Sequence, residues 1–108
     1  MSILRYDEET DSLYVNASSR KAYLSAEISP RISVDFSSSK NVVGIEILDA
    51  SKVLSELFAS KVPKAKLKKL LCSFSEGDAL YVDFELENRH ARLAIPRAYK
   101  SPILASPA

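Results

Sequence analysis

The sequence predicts an α+β fold: antiparallel β-hairpins forming a sheet or open barrel, with one or two helices packed across it. Three observations lead there. Residues 31–36 and 42–48 alternate apolar and polar side chains on either side of a polar turn. Residues 79–87 and 90–95 repeat that pattern around Asn88-Arg89. Between the two pairs, Val53, Leu54, Leu57 and Phe58 recur at helical spacing.

The elements follow in order. Ile3-Leu4-Arg5-Tyr6 and Ser12 to Ala17 are aromatic and β-branched, and the polar stretch Asp7 to Asp11 between them reads as a hairpin turn. Residues 18–27 are weakly patterned and read as a loop with a short strand at Ala22-Tyr23-Leu24. In the next hairpin Ile32, Val34 and Phe36 share one face, Ser37 to Asn41 turn the chain, and Val43, Ile45 and Ile47 line the returning face. Asp49-Ala50-Ser51 offers capping oxygens for a helix whose stripe is Val53, Leu54, Leu57, Phe58 and Val62, ended by Pro63. Residues 64–71 read as a second short helix with Leu67, Leu70 and Leu71 inward. In the last hairpin Leu80, Val82, Phe84 and Leu86 face Ala91, Leu93 and Ile95. Residues 97–108 read as an irregular tail.

Tyr6 to Asn16 also resembles Phe74 to Asp83. With one turn residue deleted, the aromatic, a Glu, an Asp and the Leu-Tyr-Val triplet coincide. A duplicated hairpin over 70–96 would make Leu71 to Phe74 a strand and place Tyr14 and Tyr81 in equivalent positions.

Composition narrows the chemistry. The 108 residues suit a single domain, and 46% hydrophobic content suits a packed core. Fifteen basic and 14 acidic side chains leave a net charge of +1, with no global drive toward nucleic acid or an anionic membrane. One Cys and one His exclude a zinc site built from several such ligands. No apolar run is long enough to span a bilayer and the first residues lack a signal-peptide core, so a cytoplasmic location is expected. Glycine stands only at 44 and 77, so no phosphate-cradling loop is present.

The remaining candidates are few. Asp7, Glu8, Glu9 and Asp11 lack the spacing, Gly and closing Glu of a calcium loop and read as a solvated turn. Asp35, Glu46 and Asp49 would form an acid–base set only if folding brought them together, and Glu46 has an alternative as a partly buried partner of Arg31 or of a lysine. His90, beside Arg89 and Arg92, reads as a surface strand histidine, and Cys72 as a small buried hydrophobe. Lys61, Lys64, Lys66, Lys68 and Lys69 form the one dense basic run and are the candidate nucleic-acid contacts. Tyr14 and Tyr81 point away from the apolar faces and are the candidate protein contacts.

The run Tyr6-Asp7, Asp11 to Val15, Glu27-Ile28-Ser29-Pro30, Val34-Asp35 and Val42 to Ser51 resembles small prokaryotic proteins of the family called domain of unknown function 2283. Gly44-Ile45-Glu46-Ile47-Leu48-Asp49-Ala50-Ser51 is its most specific part, and the likeness extends over roughly residues 1–58. Ser37 to Asn41 departs from the family's acidic, Gly-containing turn. The resemblance implies two hairpins followed by a helix, no catalytic residue, and an antitoxin-like pairing with a small protein.

The expectation is therefore a non-enzymatic module without cofactor or metal, working by homodimerisation or by binding a small protein partner. Nucleic-acid binding through residues 61–69 is the alternative.

Overall fold

Polar turns without glycine fold residues 3–47 into five antiparallel strands: β1 (Ile3–Asp7), β2 (Ser12–Asn16), β3 (Leu24–Ser29), β4 (Ile32–Phe36) and β5 (Val42–Ile47). Helices α1 (Ala50–Phe58) and α2 (Lys64–Leu67) follow, then β6 (Leu71–Glu76), β7 (Ala79–Leu86) and β8 (Arg89–Pro96). These elements come from a computed structural model that describes residues 3–96. The tail expected over 97–108 lies outside the described residues. The strands form two open sheets rather than a barrel, ordered β1-β2-β5-β4-β3 and β6-β7-β8.

Alternation decides what each sheet buries. Leu13 and Val15 of β2 face Ile47 and Ile45 of β5, which face Ile32 and Val34 of β4. Leu80, Val82, Phe84 and Leu86 of β7 join them, with Val53, Leu54 and Phe58 of α1, in one apolar cluster. The register between β4 and β5 shifts at Asp35/Phe36, so Phe36 opposes Val42. That bulge places Val42, rather than the expected Val43, in the shared cluster. The Val43 carbonyl instead accepts the amides of Ala17 and Ser18, 2.7 and 3.2 Å away, and holds the start of the loop that follows β2.

The stretch expected to be a loop up to Glu27 contains most of β3. The strand runs six residues to Ser29, two of them past the expected end of the loop, and pairs with β4 alone. Ala26 and Ile28 pack against the core while Leu24, Ser25 and Glu27 stay exposed. An edge strand buries little, so its alternation is weak in sequence.

Helix α1 stops at Phe58, before Val62, which is nonetheless buried in the following loop. Ala59 closes the helix in the left-handed region at φ 55, its amide and that of Ser60 bonding back to Glu56 and Ser55 carbonyls. A side chain there is strained, and glycine is not. Ala59→Gly is expected to raise stability by about 1 kcal/mol, after the added freedom of the unfolded chain. A urea melt with a higher midpoint and unchanged slope would show it; a lower midpoint would contradict it. Arg89, at the start of β8, completes this end. Its guanidinium donates to the Phe58 carbonyl at 2.7 Å and to Ser60 Oγ at 2.5 Å, and lies 5.5 Å from the Phe58 ring. The helix is thereby tied to the second sheet.

The second helix is one turn, ending at Leu67 instead of continuing to Leu71. Leu67 and Leu70 are buried as expected, but Leu71 opens β6 and is exposed. Strand β6 is what the hairpin similarity implied. The two hairpins place Tyr14 and Tyr81 outward alike, yet Tyr6 opposes Leu13 whereas Phe74 opposes Val82, a shift of two residues along the matched triplet. The turn closing the last hairpin is Glu87-Asn88, one residue earlier than expected. Both residues have positive φ, 52 and 67, the geometry of a two-residue hairpin loop.

Candidate functional site

Two polar constellations and one unpaired surface stand out. The first is built on Asp11, in the turn expected to be solvated. Asp11 is only 8% exposed. Its carboxylate accepts the Ser51 amide at 3.0 Å, the Ser51 hydroxyl at 2.7 Å and the Tyr6 hydroxyl at 2.7 Å, and its carbonyl accepts the Ala50 amide at 2.8 Å. The β1–β2 turn thus caps helix α1 from 40 residues away in sequence. Asp49, the expected cap, stands at the N-cap position in the left-handed region and makes no side-chain cap. Its carboxylate pairs with Arg31 at 3.5 Å instead. Burial opposes ionisation of Asp11, but the hydrogen bonds from Ser51 and Tyr6 outweigh it and hold the carboxyl below its usual range. Burial, and then the Asp11 hydrogen bond, push the Tyr6 phenol well upward. Sequence reasoning missed this cluster because its members lie on β1, in the β1–β2 turn and, 40 residues on, at the start of α1.

The second constellation lies on the outer face of the first sheet. The Tyr14 ring crosses Gly44 on the neighbouring strand and donates to Asp35 Oδ2 at 3.0 Å; Ser25 donates to Asp35 Oδ1 at 2.5 Å. Arg5 covers the ring from 5.6 Å. Desolvation, and then the Asp35 bond, push Tyr14 to about 12. Tyr81 is occupied similarly. It donates to Asp78 at 2.7 Å, a bond that raises its pKa, and Arg92 stacks at 4.6 Å while gripping Asp83. Both candidate contact tyrosines are therefore engaged within their own chain.

Asp35 and Glu46 both lie beside Tyr14 on the outer face of the first sheet, whereas Asp49 pairs with Arg31 at the start of α1. Asp35 accepts from Tyr14 and Ser25, Glu46 is exposed on β5, and Asp49 sits with Arg31. Arg31 pairs with Asp49 and Glu56, not with Glu46. Of the five lysines, Lys66 binds Glu87 at 2.9 Å and Lys68 binds Glu8 at 3.1 Å; Lys61, Lys64 and Lys69 are exposed. His90 is exposed on β8. Cys72 is half-buried against the core rather than fully enclosed, and burial pushes its thiol to about 11. Among the described residues no three His, Cys, Asp or Glu side chains are grouped to hold a metal ion. No described helix is long and apolar enough to cross a membrane.

What remains is the unpaired surface. Among the described residues the large apolar side chains left exposed are Tyr23 (77%), Leu24 (41%), Leu48 (44%) and Leu71 (63%). Leu24 lies on β3 with Tyr23 just before it, and Leu71 opens β6; both strands are sheet edges.

The five-stranded sheet with its bulged β5 leading into a remotely capped helix is the part of the chain that comparison recognises. Residues 3–51 match the family described as Protein of unknown function (DUF2283). The DUF2283-like segment spans β1 to β5 and ends at Ser51, the residue that Asp11 caps. It ends seven residues before the end of the resemblance in sequence, which extends over roughly residues 1–58. No curated protein and no solved structure matches the chain.

Proposed function

We propose that this small protein of unknown function acts by binding protein chains through its sheet edges and not by catalysing a reaction. The observation that supports this is the placement of exposed apolar side chains: three of the four described, Tyr23, Leu24 and Leu71, sit on or beside edge strands, and the fourth, Leu48, follows central β5. An edge strand offers a row of backbone donors and acceptors, and adjacent apolar side chains favour burying it against another strand. Homodimerisation and antitoxin-like pairing with a small protein are two forms of this reading. Nucleic-acid contact is the weaker one, because Lys66 and Lys68 already neutralise acids of their own chain.

Light scattering across a concentration series tests the proposal, together with co-purification from native lysate. The expected result is a mass rising above the 11.9 kDa of one chain, or a partner retained in fixed proportion. A mass of one chain at every concentration, with nothing retained, would contradict it.

A further inference from the structure

We infer that the edge used is β6 and that its partner is the β6 of a second copy, joining two three-stranded sheets into one of six strands. This rests on the association reading and narrows it. The four edges differ in how well they are protected. Strand β3 carries a register shift between Glu27 and Ser29. Strand β1 bears Arg5 and Asp7, and β8 bears Arg89, His90 and Arg92. Strand β6 pairs with β7 in unbroken register over all six residues, has no Pro or Lys, and carries its one charge, Glu76, at the end. It is the edge with the fewest obstacles to another strand.

The side chains select the register. A two-fold axis perpendicular to the sheet keeps both core faces on the same side, so directly opposed residues must share a face. Centring the pair on Ser73 sets Cys72 against the partner's Phe74 on the core side, where both residues are only partly buried in one chain. On the outer side Leu71 meets the partner's Ser75. All five opposed residues, 71–75, are uncharged. Centring on Phe74 would press the Glu76 carboxylate against Cys72 on the apolar side, and centring on Cys72 leaves only three opposed residues in β6.

Charge supports the same choice. Lys69 precedes β6, while Glu76 and Asp78 flank its other end. Antiparallel pairing brings each Lys69 beside the partner's Glu76 and Asp78, twice per dimer. The acidic and basic blocks that cancel in net charge are thus complementary across the axis.

The test places a cysteine on the axis. In a Cys72→Ser background, Ser73→Cys puts two thiols on directly opposed, exposed positions, at a spacing that a cross-strand disulfide bridges. Under mild oxidation the full-length protein should become mostly a disulfide-linked dimer, whereas Ser25→Cys on β3 in the same background should not. Lys69→Glu in the otherwise unchanged chain should weaken the dimer about tenfold, and adding Glu76→Lys should restore it. Circular dichroism confirms that each variant is folded. A dimer that crosslinks at position 25 and not at 73 overturns this inference and leaves the association reading standing. So does a single chain that binds only a different protein. A single chain that binds nothing overturns both.

Discussion

Asp11→Ala is expected to lower the unfolding free energy by about 3 kcal/mol, more than any other substitution considered, because several costs fall together. The cap of α1 is lost, the Ser51 amide and hydroxyl and the Tyr6 hydroxyl lose their acceptor, and alanine inherits a backbone at φ 53. Asp11→Asn should cost less, since asparagine caps helices and tolerates the left-handed region. The pH dependence has a definite sign. The folded pKa of Asp11 lies below its unfolded value of about 3.9, so the contribution is complete above that pH and disappears as pH falls through the folded value. Urea melts of wild type and Asp11→Asn should therefore converge in strong acid. A difference that grows on acidification would contradict this account of Asp11.

Gly44→Ala carries the next largest effect, about 2 kcal/mol of destabilisation. A Cβ at this position would overlap the Tyr14 hydroxyl and Cζ, and Tyr14 is held from both sides by Asp35 and Arg5. The ring must leave, and the Asp35 bond is lost with it. The glycine is required here by the close approach of a cross-strand ring, not by a positive φ. The second readout is spectroscopic. In the wild type burial and then the Asp35 bond push the Tyr14 phenol up to about 12; in Gly44→Ala it should return toward the usual value near 10. An unchanged titration would show that Tyr14 does not depend on the glycine.

How far the sequence discloses this molecule follows from where its signals are local. The β4–β5 and β7–β8 hairpins and helix α1 are legible because their apolar periods are local and uninterrupted. Strand β3 is not, because an edge strand carries little burial to mark it. The end of α1 was obscured because Val62 keeps the apolar spacing beyond the helix, while Ala59 takes a left-handed conformation usually reserved for glycine. The short second helix and β6 meet inside one leucine-rich run, where period alone cannot separate them. Tyr14 and Tyr81 point outward as their alternation predicts, but Arg5, Asp35 and Arg92 reach them from other strands, and Asp78 from the turn before β7. Asp11 was hidden for the same reason. An acidic turn looks solvated until a helix terminus folds over it.

Hydrogen exchange of residues 71–76, followed as the protein is concentrated, tests most directly whether the chain works through this edge. Amides of β6 that exchange freely when dilute should become protected on concentration, while the β1 and β3 edges stay unchanged. Exchange along β6 that is identical at every concentration would contradict the account.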